Sequence, residues 1–201
     1  MHGCGKRIIF LLAGAALLVL VVVPIGCALL WRPSTVGYGP RSTMSGEKAA
    51  AACLEEVGSL IADSDTDGLV AAFSEAARSQ DAELAADAEE LMGTLGGGSL
   101  APDLSGRQTL GSIPTGSVFV MSRATVTAPD GTVWELHVVD CTYNGDDPTR
   151  VGVWAIDVYP ADQPDEPENF ATSSETSRPG IRFITSWEGW DPWSSPYSPD
   201  W

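Results

Sequence analysis

VFVMSRATVTAPDGTVWELHVVDCTYNGDDPTRVGVWAIDVY, residues 118–159, decides the fold. Val118–Thr127, Thr132–Tyr143 and Val151–Tyr159 are rich in β-branched and aromatic residues, the composition of half-buried strands. Pro129-Asp130-Gly131 supplies a tight hairpin turn and Asn144-Gly-Asp-Asp-Pro148 a longer one. Two turns joining three successive strands predict an antiparallel meander. Upstream, Gln108–Ile113 is a candidate for a further edge strand.

The stretch before the strands has the helical period. Ala50, Cys53, Leu54, Val57 and Ile61 form one stripe of a first helix. Leu69, Val70, Phe73 and Ala77 mark a second, with Asp67 expected to cap it, and Leu84, Ala88, Leu91 and Leu95 a third that Gly96-Gly97-Gly98 stops. Helices ahead of consecutively paired strands, without βαβ alternation, predict an α+β domain over residues 46–159, its helices packed on a curved antiparallel sheet.

Outside that domain the composition changes twice. Lys6 and Arg7 precede an unbroken apolar run, residues 8–31, whose 24 residues would span about 36 Å as a helix against a hydrocarbon core of about 30 Å. Residues 1–31 therefore read as an uncleaved signal-anchor, with two alternatives: simple cleavage of a signal peptide, or lipidation at Cys27, since Pro24-Ile-Gly-Cys27 partly matches a lipobox. All three place the remainder on the extracytoplasmic side of a cell membrane. Residues 32–45, with Pro33, Gly37, Gly39 and Pro40, read as a stalk linker. Residues 160–201 form an acidic Pro/Trp-rich tail, expected to be irregular apart from a short strand at Gly180–Ile184. Trp187, Trp190, Trp193 and Trp201 in that tail either pack back on the domain or contact a partner.

Charge narrows the partners. The chain carries 27 acidic and 11 basic residues, a net −16. A nucleic-acid footprint is basic, so nucleic acid is excluded as a partner. The membrane is met through residues 8–31, and the remaining partner is an unknown small ligand or an envelope protein.

The residues that carry chemistry are few. Asp63, Asp65, Asp67 and Gly68 match the opening of an EF-hand loop, but its twelfth position is Ser74, with Glu75 one residue late. A ligand displaced by one helical position points about 100° away, so an acidic helix–helix corner is expected and no metal site. His137 is the only histidine after His2. Alternation places it on one strand face with Glu135, Val139 and Cys141, and places Asp140 on the other. A partly exposed strand histidine is expected. An extracytoplasmic compartment permits a disulfide between Cys53 and Cys141, two buried thiols being the alternative. No catalytic, cofactor or metal constellation is complete. The expected function is ligand binding or protein interaction without catalysis. The alternative is a small acid–base enzyme, isomerase- or hydrolase-like, drawing on Asp140, Glu135 and His137.

Three segments together resemble an uncharacterised family of bacterial exported proteins, many of them lipoproteins, known only as a domain of unknown function. They are Asp67-Gly-Leu-Val-Ala-Ala-Phe-Ser74, the helix end at Leu95-Gly-Gly97, and Tyr143-Asn-Gly-Asp-Asp-Pro148 running into Val151-Gly-Val-Trp-Ala-Ile156. The resemblance covers about residues 46–159. It implies a cone-like fold of the SnoaL-like or cystatin-like kind, whose cavity often holds a ligand. It carries over no catalytic residue.

Overall fold

The computed structural model describes residues 37–162, except 113 and 115, together with residues 178–184. The apolar run 8–31, Cys27 and the four tail tryptophans lie outside them. Among the described residues no helix is long and apolar enough to cross a membrane.

The chain is α+β, as its periodicities imply. Among the described residues four α-helices, α1 (Gly46–Asp63), α2 (Thr66–Ala72), α3 (Glu75–Gln80) and α4 (Leu84–Leu95), precede five strands, β1 (Ser99–Ser112), β2 (Ser117–Thr127), β3 (Val133–Asn144), β4 (Gly152–Pro160) and β5 (Gly180–Phe183). The strands lie in chain order, β1 to β4 antiparallel. β5 joins β4 in parallel, so the sheet is mixed where a wholly antiparallel one was expected. The sheet is open, with β1 and β5 at its edges.

Local chemistry sets the helix ends. Ser45 caps α1, whose last turn closes through Ser64 in the left-handed region. Asp65, rather than Asp67, caps α2 by accepting from the Gly68 N–H at 2.9 Å. The helix expected over 69–77 is two helices. Phe73 turns extended and bridges Val153, the Ser74 N–H donates to Val153 O at 2.8 Å, and the Ser74 hydroxyl caps α3 through Ala77 N. The acidic Asp63–Asp67 stretch is thus a helix–helix corner. No group of three or more ligating side chains that would hold a metal occurs among the described residues.

Register gives the sheet two unlike faces. Leu100, Val126, Ala124, Leu136 and Val138 share one, by cross-strand pairing and alternation. α1 packs there: Ala49 and Ala50 meet Val120, and Gly58 leaves room for the Leu100 side chain. Leu54, Ile61, Leu69, Phe73, Leu136 and Ile156 are all within 1% of complete burial, each contributing about 1.5–3 kcal/mol.

The segment read as a linker is bound to the domain from Gly37 onward. Gly37 O accepts from Asn144 N–H at 2.9 Å, Gly39 N–H donates to Thr142 O at 3.0 Å, and the Tyr38 ring packs at a tilt of 54° against Tyr143 with centroids 4.8 Å apart. Arg41 completes the attachment. Its Nε and Nη2 donate to both oxygens of Asp140 at 2.7 and 2.6 Å, and its Nη1 to Glu56 on α1 at 2.7 Å.

Candidate functional site

The second face of the sheet is apolar around Met121, Val139 and Ala155 and polar in the two rows beside them, whose residues come together only through strand pairing. One row across it reads Arg123, His137, Asp157, Arg182, each the register partner of the next on β2, β3, β4 and β5. The adjacent row reads Thr125, Glu135, Tyr159, and the rim beyond it is Thr127 and Val133.

His137 is not the partly exposed histidine its strand pattern suggests: only 3% of it is accessible. Its Nε2 shares a hydrogen bond of 2.9 Å with the Tyr159 hydroxyl, the rings meeting edge to face. Burial, reinforced by the nearby Arg123 cation, pushes its pKa from the ordinary 6.5 down to about 3. The imidazole is therefore neutral across the physiological range. Thr125 Oγ1 donates to Glu135 Oε1 at 3.2 Å on the same face.

Asp157 is fully buried. Arg182 reaches its Oδ1 through both Nε and Nη2, each at 2.5 Å. Oδ2 has no hydrogen-bond partner. A buried carboxylate oxygen without a donor forgoes a charge-assisted bond, so Asp157 is held from one side only. Neither residue was singled out from sequence. Their partnership depends on a parallel strand pair between segments 25 residues apart, and no local pattern announces it.

Asp140 lies on the opposite face, as alternation requires, so the structure does not bring the three acid–base candidates together. Its carboxylate is clamped by Arg41, whose own pKa is held above its ordinary value mainly by the hydrogen bond to Asp140. Asp140 also sits beside Cys53, helping burial to push that thiol's pKa up. Cys141 falls on the other face and donates its S–H to Tyr143 O at 3.4 Å, its pKa pushed up to about 12 mainly by burial. The two cysteines are buried thiols and form no bridge. Opposite sides of a hydrogen-bonded sheet are the physical reason.

A groove of about 520 Å³ runs along the Pro40–Arg41, Phe73–Glu75 and Pro148–Gly152 segments. Its cations are engaged: Arg41 by Asp140 and Glu56, Arg78 by the carbonyls of Ala71 and Phe73 at 2.9 and 2.7 Å. It offers shape but no unengaged acid–base pair, and the polar face is the stronger candidate. Compared with protein-family models, curated proteins and solved structures, the chain matches none of them.

Proposed function

We propose that the chain is a membrane-tethered extracytoplasmic module that binds a ligand or an envelope protein without catalysis, using the polar face of the sheet. The observation that carries this reading is the state of His137. The imidazole is 3% accessible, its Nε2 is taken up by the Tyr159 hydroxyl and burial lowers its pKa, an arrangement that disfavours proton exchange with a substrate at neutral pH. Two carboxylates are held by arginines as well, Asp140 by Arg41 and Asp157, through Oδ1 alone, by Arg182. The apolar run 8–31 between Lys6–Arg7 and the domain supports the tether and the side of the membrane. A cone of the SnoaL-like or cystatin-like kind remains the fold we propose for the whole domain, on the three resembling segments.

Val133 stands at the rim of the polar face and is 40% exposed. A photo-crosslinking residue placed there should yield one discrete adduct in intact cells, and a cysteine there should react with a membrane-impermeant maleimide before lysis. Labelling only after lysis would overturn the location, and absence of any adduct would overturn the binding surface. The unpartnered Oδ2 of Asp157 supports the acid–base enzyme as a second reading. In that case Asp157→Asn would abolish turnover of a captured ligand while leaving its affinity unchanged.

A further inference from the structure

β5 is an unusual end to this sheet. It is four residues long, it is parallel where every other pairing is antiparallel, and 19 residues separate it from the end of β4. Its pairing runs Ala155–Gly180, Ile156–Ile181, Asp157–Arg182 and Val158–Phe183, extended by Ile184 N–H donating to Val158 O at 2.8 Å. Two ion pairs accompany the backbone ladder. Arg182 grips Asp157, and Arg178 Nη2 donates to Asp81 Oδ1 at 3.1 Å.

The two halves of these pairs differ. The acids belong to the folded body and are built in: side-chain exposure is 2% for Asp81 and nil for Asp157, and Asp81 also accepts from the Glu83 N–H at 3.2 Å. The arginines stand partly in water, at 37% and 25%, and are the only cations beyond Tyr159 in the sequence. Between them, Gly180 has φ +111° and lies so close to Asp81 Oδ2 that a Cβ would collide with it. The body thus selects three features at fixed spacing: an arginine, a residue without a side chain, and a second arginine.

We propose that the edge of β4, with Asp81 and Asp157, is a recognition site for an extended peptide of the form Arg-x-Gly-x-Arg, which the chain fills with its own residues 178–182. Strand addition supplies affinity through main-chain hydrogen bonds, and the two carboxylates and the glycine contact supply specificity. A domain with a large acidic excess also draws a basic segment toward it. The tethered strand acts as a competitor in cis, and the site opens to an outside peptide in proportion to the time β5 is away. The site shares Asp157 with the polar face, but it is built on the edge of β4 and needs no assumption about the membrane.

A fluorescent peptide with the sequence of residues 178–184 tests the proposal on the full chain. Gly180→Val, which forces β5 off Asp81 while leaving both acids in place, should bind it at least about tenfold more tightly than wild type, because the competitor is lost. The same peptide with both arginines replaced by glutamine should not bind. A second measurement uses wild type alone. Roughly millimolar peptide, comparable to the effective concentration of a tethered strand, should speed hydrogen exchange at residues 181–184 and leave β2 and β3 unchanged. Failure of a folded Gly180→Val to bind, equal binding of the arginine-free peptide, or unaltered exchange in wild type would each overturn the site.

Discussion

Replacing His137 with glutamine keeps an amide to meet the Tyr159 hydroxyl but removes the only described group that titrates near neutrality with a large shift. The unfolded chain takes up this proton near pH 6.5, whereas the folded chain resists it until about 3. A group depressed in the folded state makes the unfolded state the better proton acceptor. Stability is therefore complete above pH 6.5 and falls as pH drops toward 3. Linkage over that interval gives a loss of about 2 kcal/mol at roughly pH 5 relative to roughly pH 8. With a urea slope of about 1–3 kcal/mol per molar, the wild-type midpoint should move by roughly 1 M. The assay is urea unfolding of both chains, followed by circular dichroism at fixed ionic strength across that range. The carboxylates are common to both proteins, so the difference between them isolates the histidine. A wild-type midpoint that stays constant, or the same slope in His137→Gln, would refute the burial argument.

Other consequences are more local. Arg41→Ala leaves the Asp140 carboxylate buried and unpaired, which should cost about 3–5 kcal/mol. The double change Arg41→Ala, Asp140→Leu should recover most of this in a thermodynamic cycle by urea titration. Gly152 has φ +126°, and a Cβ there would stand 3.2 Å from the Ser74 backbone nitrogen. Gly152→Ala should therefore lose roughly 1–3 kcal/mol, seen as a lower melting temperature with the native far-ultraviolet spectrum retained. Cys53 and Cys141, buried and pushed toward the protonated thiol, should resist maleimide in the native protein and react on unfolding, and reductant should leave the melting temperature unchanged. Modification in the native state would argue against their burial.

Strand composition and turn chemistry made the meander readable, because both are local. Pro129-Asp-Gly131 and the aliphatic runs beside it need no distant partner to be recognised. β1 was only half visible. Pro102, Asp103 and Gly106 break a strand pattern that the structure accommodates with a register shift between Asp103 and Gln108. The division at Phe73–Ser74 was hidden too, because its cause is a bridge to Val153, far along the chain. In the same way, Gly37–Arg41 looks like linker from its glycines and prolines, and its attachment rests on Asn144, Thr142 and Asp140. Alternation put His137 on the correct face but carried no information on how deeply that face is buried. The Asp157–Arg182 contact lay beyond sequence reasoning, since a parallel edge strand can be placed only once the sheet exists.

Chain order within the sheet also governs how the molecule is made. β2, β3 and β4 can each pair with the strand just before it, and hairpins close in roughly 1–10 μs. A ribosome adding about 5–20 residues per second needs on the order of seconds to travel from Pro160 to Arg182. The meander and its helices can therefore assemble while Asp81 and Asp157 still await their arginines. Until the last stretch emerges, the nascent domain encloses two acids with no positive charge from Arg178 or Arg182 beside them. A chain that ends before Arg178 keeps that defect permanently, and quality-control proteases favour such incompletely stabilised products. The parallel strand at the edge thereby joins a body whose helices and meander can already be in place.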